Sequence, residues 1–237
     1  MNVRSAEEII DDNEKGAAEL MIDVHESIKD LDRKEAKEYI EKIVKNRYSM
    51  TPLINLSNIF FSALERGCDF SEAVDDYMED VEKSRDETIK YIKRILDERD
   101  HRHVATFSYS STVVSAIEDV SRVSVFESRP INEGRKTAEI LSSKDTDVEY
   151  WIDAGMMKGL EKCDSVIIGA DTISDDGFLN KLGTYPLVLL AEEHNIPVFV
   201  AADTSKYLPH SLRMSEGESH DPKEVWTPKK AVKIHND

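Results

Sequence analysis

The spacing of apolar residues changes near residue 100, and that change limits what the chain can fold into. From Ser5 onward the apolar positions fall at three-to-four spacing, the period of a helix with one buried stripe. Ile9, Ile10, Ala17, Leu20, Met21, Val24, Ile28 and Leu31 form the first stripe, which predicts one helix. A second segment runs from Arg33 to Asn46. A third runs from Thr51 to Glu65, with Pro52 suited to a first turn and Gly67 to a C-terminal cap. Ser71 is expected to open a fourth, with Val74, Tyr77, Met78, Val81, Ile89, Ile92, Ile95 and Leu96 facing inward. Residues 1–100 therefore read as a helical N-terminal domain.

After the charged stretch Asp97 to Arg102, short β-branched runs alternate with helix-length segments. The runs are His103 to Phe107, Arg122 to Phe126, Val148 to Ile152, Ser165 to Gly169 and Pro197 to Ala201. Such alternation predicts an α/β domain over residues 101–237, a parallel sheet covered by helices on both faces. Right-handed crossovers gather the segments after each strand at one edge of the sheet, where ligands of open α/β sheets bind. A site is expected after the first, second and fourth strands. The tail from Ser215 to Asp237 is polar except around Val225 and Trp226, which suit an edge strand.

Composition narrows the function. Aspartate and glutamate outnumber lysine and arginine by 48 to 31, and a net charge of -17 disfavours nucleic acid as a direct ligand. No run approaches the roughly 18 apolar residues of a membrane helix. With no basic-then-apolar leader and two cysteines, Cys68 and Cys163, read as reduced core thiols, a cytoplasmic protein is expected.

Three segments carry chemistry. After the first strand, Ser108, Tyr109, Ser110, Ser111 and Thr112 place hydroxyls at the start of a helix, where free N–H groups attract anions; the plainer alternative is a serine serving only as a cap. After the second strand stands Glu127-Ser128-Arg129-Pro130, then Glu133-Gly134-Arg135-Lys136-Thr137. Guanidinium groups of Arg129 and Arg135 can grip a phosphate, or Arg129 can pair with Glu127 and shape the loop. After the fourth strand, Asp171 follows Gly169-Ala170, and Asn180-Lys181-Leu182-Gly183-Thr184 is expected to open another helix. A carboxyl leaving an apolar strand into a crevice is placed for proton transfer, although an aspartate capping the turn is the alternative. Asn180 and Lys181 can bond hydroxyls and phosphate, and Gly183 and Thr184 allow close approach of a ligand.

Other patterns fall short. His25-Glu26 lacks a second histidine because Lys29 stands at the required place, and Ile173 interrupts the calcium-like Asp171, Asp175, Asp176, Gly177 set. His101 and His103, in the charged junction, are expected in solvent. No metal or cofactor is expected.

Together, Tyr-Ser-Ser-Thr-Val from Tyr109, Glu-Ser-Arg-Pro from Glu127, Gly-Ala-Asp from Gly169 and Asn-Lys-Leu-Gly-Thr from Asn180 resemble one superfamily. It joins regulatory subunits of eukaryotic translation initiation factor 2B to isomerases of methylthioribose-1-phosphate and ribose-1,5-bisphosphate. The resemblance covers about Ala105 to Lys206 and extends more weakly through Asn46 to Asn55. It implies a Rossmann-like domain behind a helical bundle, assembly as a homo-oligomer, and a phosphorylated sugar or nucleotide as ligand. In the isomerases a cysteine after the first strand and an aspartate after the fourth move protons between two sugar carbons. Asp171 matches the aspartate, but Ser108 stands at the cysteine position, and a hydroxyl is a far poorer acid than a thiol, whose pKa is about 8.5. Cys163 lies before the fourth strand, roughly 20 Å from the end that bears Asp171. The isomerases' N-terminal arginine-glycine word is not evident, and Arg47 is the nearest counterpart. The Tyr109 to Val113 word resembles the initiation-factor alpha subunit, a regulatory sugar-phosphate binder. The resemblance thus favours binding over catalysis, with an aldose-ketose isomerase using Asp171 as the alternative.

Overall fold

A computed structural model describes residues 3–12, 15–47, 50–208 and 223–226. The N-terminal part is helical, as the periodicity predicts, but its first stripe is carried by two helices rather than one. α1 (Ala6–Ile10) is capped by Ser5, and α2 (Ala17–Ile28) starts at Gly16, whose N–H donates to the Glu19 carboxylate at 3.1 Å. Asp11, Asp12 and Gly16 are poor helix formers and part the two. α3 spans Arg33–Asn46 and α4 spans Thr51–Arg66, ending at Gly67 in the left-handed region (φ +70°). α5 (Phe70–Glu98) is capped by Asp69, not Ser71: its carboxylate accepts the Ser71 N–H at 2.8 Å. Leu20, Met21, Ile40, Leu53 and Phe60 lie in the core that these helices share.

The sheet follows. Its strands are β1 (His103–Phe107), β2 (Arg122–Phe126), β3 (Asp147–Trp151) and β4 (Ser165–Ile168). Next comes a hairpin of β5 (Thr172–Ser174) and β6 (Gly177–Lys181), and then β7 (Val198–Val200) and β8 (Lys223–Trp226). The main sheet has the order β3-β2-β1-β4-β7, every neighbouring pair parallel. Side chains alternate between its faces. Val104 and Ile167 point to one core, whereas Ala105, Phe107 and Ile168 point to the other. α6 (Ser111–Ile117), α7 (Glu133–Ser142) and the C-terminal half of α5 cover the first face; α8 (Met156–Leu160) and α9 (Thr184–Glu193) cover the second. α5 therefore takes part in two cores, through Val74 and Val81 in the helical one and Ile92 and Leu96 in the sheet.

The expected helix from Asn180 is corrected. Asn180 and Lys181 belong to β6, and α9 begins only at Thr184, after Gly183 at φ +103°. The short β5–β6 hairpin, closed over Asp175 and Asp176, takes residues that the helical expectation claimed. β8 pairs antiparallel with β6, as the edge-strand expectation had it, and the rest of the tail lies outside the described residues. His101 and His103 are half-buried rather than in solvent; burial lowers the pKa of both, and His103 Nε2 sits 3.0 Å from Ser124 Oγ. Cys68 is exposed, not a core thiol. Among the described residues no helix is long and apolar enough to cross a membrane.

Strand order reverses between β1 and β4, so the connections leaving their C-terminal ends diverge and leave a crevice. The crevice depends on the close seating of α7, because a Cβ at Gly134 would lie 1.7 Å from the Phe126 carbonyl oxygen. Gly134→Ala should force α7 off the end of β2 and cost about 1–3 kcal/mol or more, as overpacking does. A lowered midpoint in urea denaturation measures it.

Candidate functional site

At the end of β1, Ser108 adopts the left-handed conformation (φ +69°), uncommon for a residue with a Cβ. Its N–H donates to Ser128 Oγ at 2.7 Å, and its carbonyl accepts the Thr137 hydroxyl at 2.9 Å. Ser128 is fully buried, and its own N–H and that of Arg129 donate to the two oxygens of Asp153 at 2.8 and 2.7 Å. The Glu127-Ser128-Arg129-Pro130 word thus knits the ends of β1, β2 and β3 together. Ser110 caps α6. Opposite it, Gly169 leaves β4 so close that a Cβ there would stand 3.0 Å from both Cβ and Oγ of Ser110.

These ends form one wall of a cavity enclosing about 1010 Å³ of space between atoms, its solvent mouth included. Ser108, Tyr109, Ser110, Ser111, Thr112, Asp171, Asn180 and Lys181 all line it. The opposite wall comes from the helical part. The α1–α2 connection brings Asp12, Lys15 and Gly16, α2 brings Glu19, and Arg47 follows α3. Arg47 donates through its guanidinium to the carbonyls of Ile10 and Asp12, the latter at 2.6 Å, which holds that connection against the cavity. Glu19 ties the walls together, 3.4 Å from both the Lys136 ammonium and the Tyr109 hydroxyl, while Lys136 lies 3.7 Å above the Tyr109 ring. Across the sheet edge, Asn55 of α4 donates to the Ser205 and Tyr207 carbonyls at 2.9 Å, positioning Asp203 and Lys206 in the lining.

The charge of the lining is close to balanced: Lys15, Arg47, Lys181 and Lys206 face Asp12, Glu19, Glu133, Asp171 and Asp203. Of these cations Lys181 alone is buried. Its ammonium lies 2.6 Å from Glu133 as an ion pair rather than a directed hydrogen bond, and Ser108 Oγ sits 3.4 Å from the same carboxylate.

Four expected residues lie elsewhere. Thr184 and Gly183 are behind the lining, where the Thr184 hydroxyl donates to the Lys181 carbonyl at 2.7 Å and accepts from Asn180 at 3.0 Å. Arg129 and Arg135 line a separate, open depression on the outer side of α7 and are largely exposed. Arg129 pairs with Glu127 at 3.2 Å, and Arg135 pairs with Glu139 at 2.8 Å. The cavity's cations are instead Lys15, Lys181, Lys206 and Arg47. Of the lining residues missing from the sequence-based set, Lys15 had a signal in Gly16, which interrupts the helical stripe, and Glu133 stood in the segment after β2 that drew notice for its arginines, whereas Lys206 and Asp203 had none. Among the described residues no three histidine, cysteine or carboxylate side chains are grouped to hold a metal.

The sequence model of the initiation factor 2 subunit family matches residues 4–237. The chain belongs to that family. A translation initiation factor eIF-2B subunit 2-like protein of Pyrococcus horikoshii is 32% identical over 176 residues, 71% of this chain and 63% of that protein. A ribose 1,5-bisphosphate isomerase of Methanocaldococcus jannaschii is 34% identical over 134 residues, 53% of this chain and 44% of the isomerase. The chain thus spans less than two thirds of the length of either relative. The crystal structure of translation initiation factor eIF-2B from Pyrococcus horikoshii OT3 superposes with a TM-score of 0.76 at 27% identity, covering 88% of this chain and 82% of that one.

The two thiols differ in a measurable way. Cys163 is buried at the far end of β4 from Asp171, its thiol donates to the Gly159 carbonyl at 3.1 Å, and burial pushes its pKa up to about 11. Because the thiolate is the nucleophile, iodoacetamide at pH 8 should modify Cys68 in the native protein and leave Cys163 untouched until denaturant is added. Mass spectrometry of intact protein checks this.

Proposed function

We propose that the chain binds a phosphorylated sugar or a nucleotide in the cavity at the β1–β4 switch point and acts as a non-catalytic protein of the initiation factor 2B type. The observation that carries this reading is Ser108 at the end of β1, where the resemblance places the isomerases' cysteine. Its hydroxyl is a weak acid, and the Glu133 carboxylate 3.4 Å from it is engaged by Lys181. Neither cysteine can replace it, since Cys163 lies at the opposite strand end and Cys68 follows α4 on the surface. Hydroxyl and amide donors from Tyr109 to Thr112 and Asn180, with Lys15 and Arg47 on the facing wall, suit an anionic, hydroxyl-rich ligand. The same reading includes assembly into homo-oligomers, for which the exposed Leu182, Tyr185 and Leu189 at α9 offer an apolar face.

One observation favours the alternative, an aldose-ketose isomerase. Asp171 lines the same cavity as Ser108, so a carboxylate for proton transfer stands in place.

Two measurements separate the readings. Saturating sugar phosphate or nucleotide should raise the melting temperature by several degrees, since a ligand at 100 times its Kd contributes about 2.7 kcal/mol. No shift with any of them would overturn binding. With ribose-1,5-bisphosphate or methylthioribose-1-phosphate, the wild-type protein should show no more turnover than Asp171→Asn. Turnover lost in that variant would establish the isomerase instead.

A further inference from the structure

The buried Glu133–Lys181 pair bears on which phosphorylated ligand the cavity accepts. Lys181 is 6% exposed and, among the described residues, is the one buried cation of the lining, so it would be the natural seat for a phosphate pushed deep into the crevice. That seat is already neutralised by Glu133 at 2.6 Å. Among the described residues on the sheet side of the cavity, the carboxylates of Glu133, Asp171 and Asp203 outnumber the ammonium groups of Lys181 and Lys206. Charges facing one another in a partly buried crevice are screened far less than on a surface, so a phosphate driven against this wall meets like charge. Displacing Glu133 offers no escape, because it would strand a carboxylate beside the incoming anion. The same groups serve hydroxyls well. Glu133 and Asp171 accept, and Asn180 and Ser108 add polar partners. On the helical side the described lining is less acidic: Lys15 and Arg47 stand against Asp12 and Glu19, while behind them Arg4 reaches both Asp12 at 2.9 Å and Asp23, which also takes Lys15 at 2.6 Å.

We infer that the cavity selects a ligand with a single phosphate, held toward the helical wall with its hydroxyls toward Glu133 and Asp171, and that Glu133 turns away a second phosphate. The inference rests on the proposed binding of phosphorylated ligands and adds the number of phosphates and the residue that sets it. Specificity of this kind needs a repulsive element as well as an attractive one, and Glu133 supplies it. Sugar monophosphates and nucleoside monophosphates share the required chemistry.

Isothermal titration of the full chain with ribose 5-phosphate, AMP and ribose-1,5-bisphosphate tests it. At least one monophosphate should bind the wild-type protein about tenfold or more tightly than the bisphosphate, and whichever of the two does so identifies the source. Glu133→Gln keeps the shape and removes the charge; it should tighten the bisphosphate and shrink the ratio by about the same factor. A bisphosphate that binds wild type as well as the better monophosphate would overturn the inference while leaving phosphorylated-ligand binding intact. An unchanged ratio in a Glu133→Gln protein with native circular dichroism would do the same. No binding of any of the three to either protein would sink both the inference and the function it rests on. Should the variant not fold, the wild-type ratio decides alone.

Discussion

The buried hydroxyl of Ser128 is the contact on which the site depends. It receives the Ser108 N–H at 2.7 Å and donates to the Phe126 carbonyl at 3.0 Å, joining the chain leaving β1 to the chain leaving β2. A hydroxyl at 0% exposure with both roles filled is stabilising, whereas either partner left alone there would carry a desolvation cost of about 1–3 kcal/mol. Through this bond Ser108 is held in its left-handed turn, and the hydroxyl segment Tyr109 to Thr112 is delivered to the cavity rather than along the sheet edge. Gly134 and Gly169 complete the arrangement by absence. Each lacks the methyl that would hold α7 or β4 away from the neighbouring strand end.

Electrostatics then shapes what the cavity can do. The chain carries a net charge of -17, yet the cavity lining is nearly neutral because lysines and an arginine are drawn in beside carboxylates. Acidity of the whole molecule and a site for an anion are therefore compatible, since the first acts over the surface and is screened within a Debye length while the second acts at contact distance.

Much of the fold was legible in the sequence. The strands β1 and β2 have the expected bounds and α3 the expected span, because in each the period of apolar residues is uninterrupted and a capping or turn residue marks the end. Where two signals competed, the expectation failed. Thr172 to Lys181 is too short and too polar to announce a hairpin, and its pairing with β8 comes from some forty residues further on. The site was legible in part for a related reason. Residues delivered directly by β1, β4 and β6 line the cavity as the strand ends imply. Arg129 and Arg135 illustrate what local sequence does not carry. Glu133 and Arg135 stand two apart on α7, and residues so spaced look to different sides of a helix, so the one that faces the crevice commits the other to the outer surface. Lys15 and Lys206 come from opposite ends of the chain, and only the packing of the helices against the sheet brings them to one place.

That packing has α5 as its common member. Twenty-nine residues of helix, about 44 Å at 1.5 Å per residue, are rooted at one end among the N-terminal helices and at the other beneath β1 and β2. A beam embedded in two foundations does not let one settle without the other. The gap between the helical wall and the strand ends is therefore spanned by one continuous helix, so heat that loosens one half of the molecule is felt at once by the other.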